Sequence, residues 1–236
     1  PGNWLRTVPG VDRLGIRQFF GDWEREDPMT VRIERVGAEG PPLPQTPEQL
    51  ATGLANAAEE VMHTTAYWRD WQERYREQAN NFIASATAHY LGAAPGGTPL
   101  HCYWIVQPDE ALIIEFTPPE CYYWNFEHNN YWMASIDYRY HLSSINMKQA
   151  ALEPDGSVRL VIAHEDPGVP NWLGTDGHCE GHTGLRWMLT ESEPVPETRL
   201  VKLADLPSLL PGDARRMTPE ERVEQQAVRP STTFVA

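Results

Sequence analysis

Cysteine is scarce in this chain, with three residues, Cys102, Cys121 and Cys179, in 236. The number is odd and no two stand in a CxxC spacing, which argues against a disulfide framework and against a cysteine-based zinc site. Reduced thiols in a cytoplasm are the expectation. Cations are also few: 19 Lys and Arg against 33 Asp and Glu give a net charge of −14. A surface of that sign repels phosphate backbones and anionic headgroups, so no nucleic-acid partner and no membrane partner is expected. Long apolar runs are missing, and stretches such as Ala111-Leu112-Ile113-Ile114 fall far short of the ~20 residues that cross a bilayer. The opening residues Pro1 to Arg6 lack the charged start and apolar run of a signal peptide. Absent too are GxSxG, HExxH and a Gly-rich phosphate loop, so serine-hydrolase, zincin and nucleotide readings lose their simplest support.

Apolar material is plentiful: 41% of residues are hydrophobic, with 9 Trp and 9 Tyr. That is enough for a real core. Asp12 to Glu26 mixes Leu14, Ile16, Phe19, Phe20 and Trp23 with charges at helical spacing and predicts a short helix. Thr30 to Val36 alternates apolar and polar and predicts a strand. Thr46, Pro47 and Glu48 form a helix start. Behind them Leu50, Leu54, Ala57, Val61, Trp68, Trp71, Tyr75, Ala79, Phe82 and Ala86 step by three, four or seven, which predicts one long or two consecutive amphipathic helices from about Pro47 to His89. Gly92 and the segment Ala94 to Pro99 end the helical region.

After Pro99 short β-branched and aromatic runs follow one another without helices between them: Leu100 to Val106, Ala111 to Phe116, Tyr122 to Phe126, Ser143 to Lys148, Val158 to His164, Gly184 to Thr190 and Thr198 to Lys202. This grammar belongs to antiparallel all-β packing. A turn at Pro154 to Ser157 is its sharpest punctuation. Thr218-Pro219-Glu220-Glu221 starts a short helix, and Arg229 to Ala236 reads as a tail. The fold expected is therefore α+β, an antiparallel β-sandwich of the jelly-roll kind preceded by a long amphipathic helical segment, with boundaries at 1–98, 99–204 and 205–236.

Three groups of residues could carry chemistry. The loop Asp176 to His182 holds His178, Glu180 and His182, and His164 ends the strand before it; two His four apart with acidic neighbours could supply nitrogen and oxygen ligands to a divalent metal. The plainer alternative is that these histidines brace the loop. A second group, Cys121 to Trp132, interleaves Tyr123, Trp124, Tyr131 and Trp132 with Glu127, His128 and Asn129, a composition suited to stacking a ring and pinning it with hydrogen bonds. Alternation puts Tyr122, Trp124 and Phe126 on one face, the core face for Trp124 and Phe126, and Tyr123, Asn125 and Glu127 on the other. Arg186, between Leu185 and Trp187, is either a buried anion anchor or a solvent-face residue.

In the order Asp155-Gly156-Ser157-Val158, then Asp166-Pro167-Gly168-Val169-Pro170-Asn171-Trp172-Leu173, then Gly184-Leu185-Arg186-Trp187, the chain resembles an uncharacterised bacterial family, domain of unknown function twelve-fourteen. Tyr123-Trp124-Asn125 resembles the tryptophan-bearing strand that opens the family domain. The likeness covers Cys121 to Leu189 and implies a jelly-roll-like sandwich, which larger relatives pair with a second domain. It implies no biochemical role. The His-rich loop departs from the family pattern, so nothing catalytic is carried onto it.

Three functional readings follow. One is a small-molecule enzyme whose polar and aromatic site lies at the mouth of the sandwich and uses His164, His178, His182 and Glu180, with or without a divalent metal on His164, His178 and His182. Another is a non-catalytic module binding a hydrophobic or carbohydrate ligand through Tyr123, Trp124, Glu127, His128, Asn129, Tyr131, Trp132 and Arg186. The third is an oligomeric structural protein that exchanges its long helix and C-terminal tail, and a homo-oligomer is the expected state.

Overall fold

The computed structural model describes residues 3–7, 9, 14–37, 40, 44–84 and 99–232. Helix α1 (Pro47–Arg76) starts as its sequence dictates: Thr46 accepts from the Gln49 amide, the Gln49 side chain accepts from the Thr46 amide, and Pro47 stands in the first turn. It ends far short of His89. After Arg76 a turn with Asn80 at φ 63° redirects the chain into the sheet, where Ile83–Ala84 forms β1. Residues 85–98, including Gly92 and most of the expected boundary, lie outside the described residues.

Eight more strands follow: β2 (Leu100–Ile105), β3 (Glu110–Phe116), β4 (Tyr123–Asn130), β5 (Ser144–Asn146), β6 (Val158–Ala163), β7 (Trp172–Gly174), β8 (Glu180–Met188) and β9 (Glu197–Lys202). They form a five-stranded sheet, β1-β2-β8-β4-β5, and a four-stranded sheet, β7-β6-β3-β9. All pairings are antiparallel except β6 with β7. The architecture is thus the α+β two-sheet sandwich expected, with all seven expected strands present. The sequence alone did not yield β1 and β7, which have two and three residues and no periodicity to display.

Between the sheets lie Leu100, Cys102 and Trp104 of β2, Leu112 and Ile114 of β3, Trp124 and Phe126 of β4, Leu160 and Ile162 of β6, and Leu185 and Trp187 of β8. Each strand contributes alternate residues, as a pleated ribbon with one buried face must. The expected alternation of β4 holds for Trp124 and Phe126, whereas Tyr122 precedes the strand and is exposed. Gly181 sits where β8 passes under Trp104: a Cβ there would come within 2.3 Å of the Asn129 carbonyl oxygen and 2.5 Å of the indole.

Two expected N-terminal elements are not formed among the described residues. Residues 14–26 are irregular with a turn at Trp23 to Arg25, and residues 30–35 are coil leading into a turn at Val36 and Gly37. The alternation in Val31, Ile33 and Val36 finds no ladder partner, and all three side chains stay exposed; a strand is stable only against a sheet edge. At the other end, α2 (Leu206–Leu209) and α3 (Pro219–Thr232) follow a turn of 3-10 helix. Arg229 belongs to α3, not to a tail: its guanidinium is buried over the Trp23 ring and donates to the Ser144 and Tyr138 carbonyls. Arg222 fastens the same helix through Asp166 at 2.8 and 3.1 Å and the Val169 carbonyl.

The family-like motifs have structural work. Asp155 accepts from the amide and hydroxyl of Ser157 across a turn in which Gly156 has φ +84°. The Asn171 side chain ties Ala151 and Arg159 together, accepting from the Ala151 amide and donating to the Ala151 and Arg159 carbonyls. Next to it, the Trp172 indole donates to the Ala163 carbonyl and Leu173 fills the core.

Candidate functional site

Strand alternation gives the five-stranded sheet an outer face made of Tyr123, Asn125, Glu127 and Asn129 on β4 and Glu180, His182, Gly184 and Arg186 on β8, with His101 and Tyr103 on β2. Register brings these into contact: Asn125 lies opposite Arg186, Glu127 opposite Gly184 and Asn129 opposite His182. Gly184 has no side chain, and the Arg186 guanidinium lies over the gap, 3.6 Å from where a Cβ would stand. From there it pairs with Glu127 at 3.3 Å, both side chains 35% exposed. The other Glu127 oxygen accepts from the Ser135 hydroxyl at 2.8 Å. The Asn125 side-chain oxygen beside them is buried without a hydrogen-bond partner.

Toward β2 the face becomes buried and aromatic. The last turns of α1 lay Trp71, Gln72 and Tyr75 on it. His182 Nδ1 is 3.0 Å from Gln72 Oε1, and His182 Nε2 is 2.8 Å from His101 Nδ1. With the Gln72 oxygen accepting, His182 carries its hydrogen on Nδ1 and accepts from His101 Nδ1–H, so the tautomers form one chain. Trp71 and Tyr75 close edge-on around the two imidazoles at centroid distances of 5.4 to 5.8 Å. Burial, with the Arg186 charge, lowers His101 to about 4. Burial, then His101 and Arg186, lowers His182 to about 3. Both are neutral at pH 7. Gln72 Nε2, Asn129 Oδ1 and Trp71 Nε1 are buried here without partners. The face therefore runs from an open ion pair to a closed, uncharged histidine pair.

The three histidines read as a metal site do not meet. His182 is not on the loop: β8 begins at Glu180, and the strand turns His182 outward under α1. His164 follows β6 of the opposite sheet and its Nε2 meets the Val106 carbonyl at 2.9 Å. His178 is exposed on the turn after β7. Among the described residues no group of three or more His, Cys, Asp or Glu is disposed to hold a metal ion. Glu180 is spent on Arg76 of α1, at 3.0 Å.

Of the ligand residues expected, Tyr123, Glu127, Asn129 and Arg186 share the outer face. Tyr131 donates to Glu73 and helps seat α1, while Trp132 stands on the turn beyond, 52% exposed. Trp124 and His128 point the other way, into the core. His128 is wholly buried, stacked on Trp104 at 4.5 Å, with both ring nitrogens unpartnered, and burial, aided by His178, lowers it to about 3. His101 and Gln72 were not singled out by sequence reasoning. Gln72 is a polar residue on the apolar stripe of α1, and that interruption is the one sequence sign of them.

An α+β sandwich with a polar, aromatic-edged outer face is the class these features define. Comparison with protein-family models gives no match, and comparison with curated proteins gives none. Among solved structures the chain is similar to a putative uncharacterized protein from Burkholderia cenocepacia, with 38% identity over 72% of this chain and a TM-score of 0.68. It is also similar to the VPA0106 protein from Vibrio parahaemolyticus, with 16% identity over 70% of this chain and a TM-score of 0.35. The chain spans about half the length of each, 48%.

Proposed function

We propose that this chain binds a small, hydroxyl-rich ligand of the carbohydrate kind on the outer face of the five-stranded sheet. One observation carries the reading. At adjacent register positions the partly exposed Arg186–Glu127 pair lies over the buried backbone of Gly184 and beside the buried, unpartnered Asn125 oxygen, so that a guanidinium and a carboxylate present donors and acceptors side by side. A hydroxyl group is both donor and acceptor and matches such a pair without asking it to bury a net charge. A carboxylate or phosphate would compete with Glu127 for the same guanidinium, and the net charge of −14 repels it.

The binding-module reading stands ahead of a metal-assisted enzyme because His164, His178 and His182 face three different surroundings. It stands ahead of proton-transfer catalysis because His101 and His182 are sealed beneath α1, at 5% and 0% exposure. Membership of the twelve-fourteen family and residence in a cytoplasm belong to the same proposal. Supporting them are the turn and Asn171 geometry on one side, and the three free cysteines on the other. No helix among the described residues is long and apolar enough to cross a membrane.

The test is saturation-transfer NMR with a panel of neutral mono- and disaccharides and the corresponding sugar phosphates, on the wild type and on Arg186→Met. Transfer to a neutral sugar that is lost in Arg186→Met, with the thermal midpoint unchanged, supports the reading. No transfer to any neutral sugar overturns it.

A further inference from the structure

Two residues along from Glu127 and Gly184, about 7 Å at 3.4 Å per residue, the outer face carries a second row of neutral polar and aromatic side chains: Asn129 opposite His182, and His182 opposite Tyr103 of β2. The last turns of α1 cover this row group by group. Gln72 Oε1 accepts from His182 Nδ1 at 3.0 Å, and the Arg76 guanidinium lies over the Tyr103 ring at 5.7 Å. The fit is incomplete. Asn129 Oδ1, Gln72 Nε2 and Trp71 Nε1 are buried without partners, in side chains no more than 5% exposed, although buried polar atoms are as a rule hydrogen-bonded. Keeping three such atoms from water offsets part of what burying Trp71 and Tyr75 gains, so the helix is held more weakly than its aromatic contacts suggest. Its other fastenings lie at the surface, Arg76 to Glu180 at 3.0 Å and Tyr131 to Glu73 at 3.1 Å, and exposed pairs of this kind add little. Just past the helix, Asn80 is anchored to β2: its amide donates to the Tyr103 carbonyl, and its side chain accepts from the Ile105 amide and donates to the Ile105 carbonyl. The turn at residues 77–79 thus lets α1 lift from the sheet while the chain beyond it stays in place.

We infer that the row under α1 is a second subsite of the ligand face, which α1 fills with Gln72 and Arg76 until a longer saccharide displaces it. The inference rests on the carbohydrate reading above and extends its ligand from a single sugar to a linear oligosaccharide. A sugar hydroxyl placed between Asn129 and His182, cross-strand neighbours on one face, accepts from His182 Nδ1–H and donates to Asn129 Oδ1. Gln72 Oε1 can only accept, which is why the Asn129 oxygen is left without a partner. The Tyr103 ring, freed of Arg76, is a flat apolar surface on which a pyranose stacks. Lifting α1 also returns Gln72 Nε2 and Trp71 Nε1 to water, so both sides of the interface lose their unpartnered atoms in the exchange. A single sugar at the Arg186–Glu127 pair leaves α1 where it is, whereas a chain that runs on toward His182 has to take its place.

Amide hydrogen exchange on the whole chain, read at Trp68 to Arg76 against β2 and β8, tests the inference together with affinities for glucose, maltotetraose and cellotetraose. The variants are Glu73→Ala/Arg76→Ala, which releases the surface fastenings and keeps a strong helix former at both positions, and Asn129→Leu, which removes the acceptor. Without sugar the last turns of α1 should exchange at least tenfold faster than β2 and β8. One of the tetrasaccharides should speed them further while glucose does not. The double variant should bind that tetrasaccharide at least fivefold more tightly than the wild type with its affinity for glucose unchanged, and Asn129→Leu should lose the gain. Last turns of α1 that exchange no faster than β2 and β8 in any sample overturn the inference and leave the carbohydrate reading standing. So does a double variant that binds neither tetrasaccharide more tightly than glucose. Absence of binding to any neutral sugar removes the carbohydrate reading, and this subsite with it.

Discussion

Mild acid should unfold this protein well above the ordinary carboxylate range, because three of its histidines are buried neutral. Burial holds His101 at about 4, and His128 and His182 at about 3, against about 6.5 in an unfolded chain. Between those limits the unfolded chain takes up protons that the native state refuses, so stability falls as pH falls below about 6.5. At pH 5 each group has forfeited about 2 kcal/mol, and the three together about 6 kcal/mol, out of the ~5–15 kcal/mol that holds a domain. Urea denaturation followed by tryptophan fluorescence at pH 8, 7, 6 and 5 measures the loss. His128→Phe refines it: the phenyl ring keeps the stack on Trp104, removes two unpartnered nitrogens, and should return about 2 kcal/mol at pH 5 relative to the wild type. Equal stability at pH 8 and pH 5 would refute the reasoning, as would a His128→Phe variant whose pH dependence matches the wild type.

Other consequences follow from single contacts. Gly181→Ala drives a methyl group into the Asn129 carbonyl and the Trp104 ring, and should cost about 3 kcal/mol, the upper range for overpacking, read as a lowered urea midpoint. Arg222→Met leaves Asp166 and two backbone carbonyls without their cation; a loss of about 3 kcal/mol is expected, with hydrogen exchange in α3 rising before that of the sheets. Gln72→Leu removes the acceptor of His182 Nδ1 and should reduce the protection of α1's last turns while leaving β4 to β8 pairing intact.

How far the sequence could be read depended on whether the information was local. The Asp155 to Ser157 turn, the Thr46 cap and the alternation of Trp124 and Phe126 are decided within a few residues, and each is as the residues imply. The N-terminal alternation at Val31, Ile33 and Val36 is local too, but a strand needs an edge to pair with, and no local pattern reports whether one is free. The candidate site failed in the other direction. HxxxH spacing suggested that His178 and His182 act together, whereas β8 begins between them and separates their surroundings. Instead His182 meets His101 and Gln72, which lie 81 and 110 residues away. Such meetings follow from strand register and helix docking, which one sequence does not display. Tyr123, Glu127, Asn129 and Arg186 were legible as candidates because alternation places polar residues beside an aromatic core. That Gly184 makes the gap they share became visible only in the paired sheet.

The most direct measurement is a crystal structure of the chain soaked with the neutral sugar that gives the strongest saturation transfer. Electron density over the Arg186–Glu127 pair above Gly184, with sugar hydroxyls bonded to the guanidinium and to the Glu127 carboxylate, is the predicted result. Density confined to the shallow depression of about 220 Å³ beside Arg159 and Leu210, with the outer face bare, would contradict the account.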